Sequence, residues 1–164
     1  MLAIISDIRD LSKVEAGRLE TSRMAIDIAE IVEECCNLIR SIAAKRNISI
    51  HVRIPKSLHI AADRVRLKQI LINFLSNAVK YNRDDGRIDI EATQTGVGQV
   101  RINVRDSGNG IPPERLGELY KPFNRLGTET SGIEGTGIGL ALSKRLAEVM
   151  GGTEIGRASC RERV

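Results

Sequence analysis

The clearest periodic pattern in this chain lies between residues 63 and 80. Its apolar residues recur at the three- and four-residue spacing of a helix with one buried stripe, at positions 67, 70, 71, 74, 75, 78 and 79. Asn73, Asn77, Lys80 and Tyr81 fall together on another face, because residues three and four apart are neighbours on a helix surface. We predict a helix over 63–80 with two amides, an ammonium and a phenol on its polar side.

Alternating patterns predict three strands. Residues 48–54 and 99–106 each alternate apolar and polar side chains, as half-buried strands do. Between them, the turn at 83–86 leads into a strand whose residues 88, 90 and 92 should point inward. The Gly96-Val97-Gly98 turn then joins this strand to 99–106 as a hairpin.

Other segments predict further helices. Asp27 with Glu30 resembles a capping box and starts a helix that runs through about Ala44. Its expected buried stripe is Ile28, Ile31, Val32, Cys35, Ile39 and Ile42. A helical stripe also lies within residues 2–19, and helices are predicted near 113–119 and over 138–150. Helices beside a largely antiparallel run of strands predict a two-layer α/β sandwich, of the α+β type, with a mixed sheet and helices on one face.

A carboxylate followed by glycines stands at the end of the strand 99–106. Asp106 can accept a hydrogen bond from an exocyclic amine, while Gly108 and Gly110 let a flat ring approach the backbone. A polar strand-to-loop turn explains this run equally well when it is taken alone.

A second glycine-rich run, Gly135-Thr136-Gly137-Ile138-Gly139-Leu140, leads into the predicted helix 138–150. Glycines ahead of a helix expose backbone N–H groups, and the helix dipole favours an anion there. The run is neither a Walker loop, since no lysine directly follows the glycines, nor a Rossmann fingerprint, since its spacing is G-x-G-x-G. Residues 121–134 are polar and predict a mobile loop.

Taken in order, these segments resemble the ATP-binding catalytic domain of sensor histidine kinases. The asparagine box is NFLSNAVKY, the first glycine box DSGNGI, the phenylalanine box YKPFNRLG and the second glycine box GTGIGLAL. The resemblance covers residues 1 to about 153 and extends to a wider ATPase group shared with DNA gyrase, mismatch-repair ATPases and a heat-shock chaperone. It implies the same α/β fold.

The resemblance implies a site for ATP and Mg²⁺. Asn77 would ligate Mg²⁺, with Asn73 close by. Lys80 would contact phosphate, and Arg125 would approach the γ-phosphate. The implied catalytic residues are Asn73, Lys80 and Arg125. Asp106 would accept from the adenine amino group. The other implied ATP-binding residues, around the base or in the lid, are Tyr81, Gly108, Gly110, Ile111, Phe123, Gly135, Thr136, Gly137, Gly139 and Leu140.

The implied activity is transfer of the γ-phosphoryl group to a histidine in a two-component phosphorelay. Hydrolysing relatives usually carry a glutamate where this chain has Asn73, and an amide cannot act as the base that activates water. The alternatives are an ATPase of the wider group and a nucleotide-binding module without turnover. The implied partners are the phosphotransfer and dimerisation domain of the same kinase, a response regulator receiver domain, and a second copy in an intact homodimer.

The ends of the chain have different expected origins. Residues 1–19 resemble the end of the dimerisation helix and its junction, and residues 20–153 the catalytic domain. His51 and His59 do not match the phosphoacceptor context, so the chain is not expected to phosphorylate itself. Residues 154–164 look like the translation of a sequencing-library adapter, and we expect them to replace the last family strands.

Composition adds little to this interpretation. The chain is 41% hydrophobic and 28% charged, with no apolar run long enough to cross a membrane. Arginines in 154–164 inflate the net charge of +4, so no nucleic-acid or membrane contact is expected for this fragment. Cys35 and Cys36 should be free cytoplasmic thiols.

Overall fold

The computed structural model describes residues 2–125 and 135–152. Contacts divide the chain into two compact units, Ser22–Asn109 on one hand and Met1–Thr21 with Gly110–Val164 on the other. The elements, in chain order, are α1 (Leu2–Glu15), β1 (Arg23–Asp27), α2 (Ile28–Lys45), β2 (Ser49–Arg53), β3 (His59–Asp63), α3 (Arg64–Lys80), β4 (Arg87–Gly96), β5 (Gln99–Asp106), a 3₁₀ helix (Pro113–Glu118) and α4 (Gly139–Val149).

The unit Ser22–Asn109 combines two sheets with two helices. β2 pairs in parallel with β4, and β4 pairs antiparallel with β5 in the register Ile88↔Asp106 and Ile90↔Val104. β1 and β3 form a separate antiparallel pair. The predicted hairpin is confirmed, and so are its inward residues, since Ile88, Ile90 and Ala92 are buried. The predicted α/β architecture with a mixed, mainly antiparallel arrangement is confirmed.

Two strands escaped the sequence prediction. β1 and β3 have only five residues each, and most of the side chains of β1 are exposed. Unlike the equally short β2, their sequences RMAID and HIAAD do not alternate apolar and polar residues, so only their pairing with each other reveals them as strands. Each ends in an aspartate, Asp27 or Asp63, that caps the helix directly after it.

The buried stripe of α2 differs from the prediction at three positions, since Cys36 and Ala43 are buried and Ile42 is not. Its buried residues are Ile28, Ile31, Val32, Cys35, Cys36, Ile39 and Ala43. The prediction for Ile42 is wrong, because its side chain is 54% exposed. The stripe ends on Ala43 instead, and the neighbouring residue on a helix points about 100° away from it.

Cys35 and Cys36 are free, as predicted, and both are buried. Burial raises the pKa of the Cys35 thiol to about 11 and also raises the pKa of Cys36. Since the thiolate is the reactive form, these two thiols are structural residues of the core rather than nucleophiles.

α2 and α3 run side by side in the same direction. Near their starts, Arg64 pairs with Glu34 and Glu30, and Lys68 pairs with Glu34 at 3.3 Å. Near their ends, the guanidinium of Arg46 reaches the carbonyl of Val79 at 2.6 Å. Contacts at both ends fix the axial position of α3, the helix that carries the asparagine box.

Asp63 is expected to stabilise the start of α3 in a pH-dependent way. Its carboxylate accepts from the backbone N–H groups of Ser22 at 2.8 Å and Arg66 at 3.0 Å. Burial opposes ionisation, but these hydrogen bonds outweigh it and hold the pKa below the usual 3.8. The stabilisation is therefore complete above pH 3.8 and is lost as the pH falls through the lower folded-state pKa.

Two substitutions distinguish the helix-capping hydrogen bonds of Asp63 from the effect of its negative charge. Asp63→Ala should lower the free energy of unfolding near neutral pH by about 0.5–2 kcal/mol in urea denaturation. Asp63→Asn keeps an acceptor but does not titrate, so it should lose less stability than the wild type as the pH falls below 3.8. Equal acid sensitivity of the wild type and Asp63→Asn would contradict this role.

The described parts of the other unit contain α1, the 3₁₀ helix and α4. α1 packs against α4, with Leu11 and Val14 buried on one side and Leu142 and Leu146 on the other. The helices predicted within 2–19, near 113–119 and over 138–150 are confirmed. Part of the predicted mobile loop, and the predicted tail with its missing strands, lie outside the described residues. Within the described ranges, no helix combines the length and apolarity needed to span a membrane.

Candidate functional site

The predicted polar face of α3 is present. Ile70, Leu71, Leu75, Ala78 and Val79 are buried on the opposite side of the helix. Asn73 and Asn77 are half-buried, whereas Lys80 and Tyr81 are exposed. Within the described residues, the side-chain amide of Asn77 makes no hydrogen bond and the ammonium of Lys80 no ion pair, so both groups are available to a ligand.

Asp106 stands at the end of β5 with one carboxylate oxygen engaged. Its Oδ1 accepts from the backbone N–H of Gly108 at 2.8 Å, which closes a tight turn after the strand. Among the described residues, the second carboxylate oxygen has no hydrogen-bond donor, and the side chain is exposed. Asp106 can thus offer an oriented acceptor to an amine.

Gly108 brings this turn against the end of α3. A Cβ added at Gly108 would lie 2.2 Å from the carbonyl oxygen of Tyr81 and 2.8 Å from Oδ1 of Asp106. No side chain fits in this space, because the closest neighbour is backbone. The structure therefore brings together the end of the asparagine box and the first glycine box, as the predicted site requires.

Sequence analysis missed three residues at this junction: Arg46, Asn82 and Ser107. Asn82 is buried, and its Oδ1 accepts from the hydroxyl of Ser107 at 2.9 Å. Asn82 directly follows the asparagine box and Ser107 lies within the first glycine box, so both could have been noticed from the sequence. Arg46 follows α2, far along the chain from both boxes, and only the fold reveals its contact with α3.

The phenylalanine box and the second glycine box meet in the other unit. The backbone N–H of Phe123 donates to the carbonyl of Gly137 at 2.9 Å, and a Cβ at Gly137 would lie 2.8 Å from the carbonyl carbon of Phe123. Gly137 has φ +70°, a conformation that favours glycine. Ile138 is fully buried and donates its N–H to the hydroxyl of Thr136 at 3.2 Å, which anchors the start of α4.

The remaining predicted residues of this unit are distributed around these contacts. Gly110 has φ +73°, Ile111 and Arg125 are half-buried, and Phe123 is 65% exposed. Gly135 is exposed, while Gly139 begins α4 and Leu140 follows it. The predicted site residues thus divide between the two units: those from Asn73 to Gly108 belong to one, and those from Gly110 to Leu140 to the other.

The α3 face carries an amide oxygen that a hard metal ion can bind. Amide oxygens are hard ligands, and Asn77 offers one that no described residue occupies. Over the described ranges, no three His, Cys, Asp or Glu side chains are grouped to hold a metal ion.

Comparisons with known proteins identify the family. The family model described as histidine kinase-, DNA gyrase B- and HSP90-like ATPase matches residues 62–162. Histidine protein kinase DivJ of Caulobacter vibrioides is 36% identical over 153 residues, which cover 93% of this chain and 26% of DivJ. The chain spans between 8% and 29% of the length of four curated relatives.

Solved structures agree with this family. The catalytic domain of histidine kinase ThkA is 30% identical with a TM-score of 0.70, and the match covers 79% of this chain and 82% of that domain. Full-length ShkA in complex with AMPPNP is 30% identical with a TM-score of 0.79, over 96% of this chain and 34% of ShkA. The chain belongs to the family of histidine kinase-, DNA gyrase B- and HSP90-like ATPases, as an ATP-binding catalytic domain of the histidine-kinase type.

Proposed function

We propose that this chain binds ATP with Mg²⁺ and transfers the γ-phosphoryl group to a histidine of a phosphotransfer domain. One observation supports this most strongly. The amide of Asn77 and the ammonium of Lys80 are unengaged among the described residues, on the helix whose end packs against the Asp106–Gly108 turn. Groups that can bind a metal ion, a phosphate and an amine therefore lie within one compact unit.

Each residue of this unit has a chemical role in the proposal. Asn77 holds Mg²⁺ through its amide oxygen, and Lys80 neutralises phosphate charge. Tyr81 packs against the adenine ring, and Asp106 accepts from the adenine amino group. Bound Mg²⁺ supplies charge neutralisation at the triphosphate. Gly108 shapes the base side of the site by letting the Asp106 turn lie against the Tyr81 carbonyl, where no side chain fits.

The residues of the other unit complete the proposal. Arg125 approaches the γ-phosphate and stabilises the charge that develops there. Gly110 and Ile111 shape the base side, with Phe123 in the phenylalanine box. Gly135, Thr136, Gly137, Gly139 and Leu140 form the phosphate-side hinge of a lid. The hydrogen bond from the Phe123 N–H to the Gly137 carbonyl joins these two segments.

Asn73 favours transfer over hydrolysis. Activation of a water molecule requires a base, and an amide has no basic lone pair at neutral pH. An acceptor histidine brings its own nucleophilic nitrogen and needs mainly positioning and charge neutralisation. An ATPase remains the second candidate, since the family includes ATPases, and the absence of a carboxylate at position 73 argues against it.

The partners and location of the intact protein extend this proposal. We infer a phosphotransfer and dimerisation domain of the same kinase as the phosphate acceptor, with a second copy in a homodimer. A response regulator receiver domain then takes the phosphoryl group. The proposed location of the catalytic domain is the cytoplasm, where ATP and the regulator are present.

Incubation with γ-labelled ATP tests the reaction. The chain alone should stay unlabelled, and a separately supplied phosphotransfer domain should gain acid-labile label. His51 and His59 are not the expected acceptors, because neither lies in the sequence context of the family's phosphoacceptor histidine. Rapid release of labelled inorganic phosphate without transfer would support the ATPase instead. Label on His51 or His59 would refute the expected acceptor.

A further inference from the structure

We propose that Asn82 is a positioning residue that, with Arg46 and Ser107, fixes the distance between the phosphate end of α3 and the adenine turn at Asp106. This rests on the proposed function, because it assigns a role within the same nucleotide site. The three residues, termed the clasp below, all lie in the unit Ser22–Asn109. None of them is among the predicted ligands.

Asn82 uses both ends of its buried amide. Its Oδ1 accepts from the Ser107 hydroxyl at 2.9 Å and from the Arg83 N–H at 3.0 Å. Its Nδ2 donates to the carbonyl of Arg87 at 3.1 Å. This side chain therefore joins the segment after α3, the first residue of β4 and the first glycine box.

Ser107 completes the connection from the other side. Its hydroxyl accepts from the Arg87 N–H at 2.8 Å, and its own N–H donates to the Arg87 carbonyl at 3.0 Å. Ser107 is the residue directly after Asp106. Movement of the Ser107 backbone would therefore move the carboxylate that the proposal assigns to adenine.

Arg46 holds the end of α3 itself. One guanidinium nitrogen, Nη1, donates to the Val79 carbonyl at 2.6 Å and to the Lys80 carbonyl at 3.3 Å. The other, Nη2, donates to the Asn82 carbonyl at 2.6 Å. The last carbonyls of a helix have no partner within the helix, so Arg46 satisfies them and fixes the backbone beneath Lys80 and Tyr81.

Gly86 shows how closely the clasp is packed. A Cβ there would lie 2.4 Å from Asn82 Oδ1 and 2.8 Å from the Ser107 hydroxyl oxygen. The clasp thus has no space for a side chain beside its central hydrogen bond. Hydrogen-bonded groups packed this tightly hold one geometry, which is what a precise spacing requires.

Spacing matters because ATP carries its base and its phosphates on one molecule. Adenosine or triphosphate alone can bind its own subsite whatever the distance to the other subsite. Intact ATP binds both subsites together only if their separation matches the length of the molecule. A small misplacement costs joint binding heavily. Loosening the clasp should therefore weaken ATP binding much more than the binding of either part alone.

Calorimetric titration of the 164-residue chain with three probes tests this. The probes are AMPPNP with Mg²⁺, adenosine alone, and inorganic triphosphate with Mg²⁺. Asn82→Ala should weaken AMPPNP binding by about tenfold or more, while adenosine and triphosphate each change by less than about twofold. Asn82→Asp keeps the acceptor but not the donor and should restore part of the loss. Asn37→Ala, the same truncation at an exposed amide bonded to Arg40, should match the wild type.

Three results would overturn the proposal. One is unchanged AMPPNP affinity in a folded Asn82→Ala variant. Another is an equal loss for adenosine or triphosphate, which would indicate damage to one subsite rather than to their spacing. If Asn82→Ala does not fold, Ser107→Ala removes a single hydroxyl and is held to the same criteria. A wild-type chain that binds no AMPPNP would overturn the proposed function as well, whereas normal wild-type binding with an unaffected variant overturns only the clasp.

Discussion

Replacing Asp106 by asparagine is expected to weaken the binding of adenine nucleotides by about 5–150-fold, which corresponds to about 1–3 kcal/mol for a polar partner left unsatisfied. The turn should survive, because an amide oxygen can still accept from the Gly108 N–H that now lies 2.8 Å from Asp106 Oδ1. The position of the other carboxylate oxygen then carries an NH₂ group. This group and the adenine amino group are both donors, so they cannot form a hydrogen bond.

The same substitution should change the choice of base. Guanine presents a carbonyl where adenine presents an amine, so the introduced amide can donate to it. Calorimetry with AMPPNP and GMPPNP should show a strong adenine preference in the wild type and a preference reduced by about tenfold or more in Asp106→Asn. Unchanged affinities for both nucleotides, with the fold intact, would remove Asp106 from the site.

Replacing Gly108 by alanine is expected to damage both the fold and the site. The new Cβ would meet the Tyr81 carbonyl oxygen at 2.2 Å, and backbone cannot move aside cheaply. Overpacking of this kind costs about 1–3 kcal/mol or more, and about 1 kcal/mol shifts the melting temperature of a domain this size by about 2–6 °C. We therefore expect a loss of several degrees and a loss of nucleotide binding beyond the stability effect.

Gly117→Ala is the matched control for Gly108→Ala. Nothing lies within 4 Å of a Cβ at Gly117, and its φ is not in the left-handed range. Differential scanning calorimetry should show a melting temperature close to that of the wild type for this variant. Equal melting temperatures for Gly108→Ala and Gly117→Ala would contradict the close approach of the turn to α3.

The helices and the hairpin could be predicted because their apolar residues repeat along the chain itself. The stripe of α3 and the inward residues Ile88, Ile90 and Ala92 were all visible as local periods. Local periods do not set where a stripe ends, which is why Ile42 was placed in the core although Ala43 takes that position. β1 and β3 were missed because they are strands through their pairing with each other, and neither sequence alternates apolar and polar residues.

The site shows the same division. The ligand-type residues stand in short ordered boxes, and the sequence therefore predicts them. The clasp residues act through contacts between segments that are distant in sequence, such as Arg46 with Val79 or Asn82 with Ser107. No spacing rule links these positions, because they are brought together by the packing of α2 on α3 and by the β4–β5 hairpin. Their roles became visible only with the fold.

Magnesium dependence of nucleotide binding tests the central claim most directly. AMPPNP is titrated into the 164-residue chain with and without Mg²⁺, for the wild type, Asn77→Ala and the surface control Asn37→Ala. We expect one binding site that Mg²⁺ strengthens by about tenfold or more in the wild type and in Asn37→Ala, and a loss of this strengthening in Asn77→Ala. Absence of binding in the wild type, or full Mg²⁺ strengthening without the Asn77 amide, would contradict the assignment of this chain as an ATP- and Mg²⁺-binding catalytic domain.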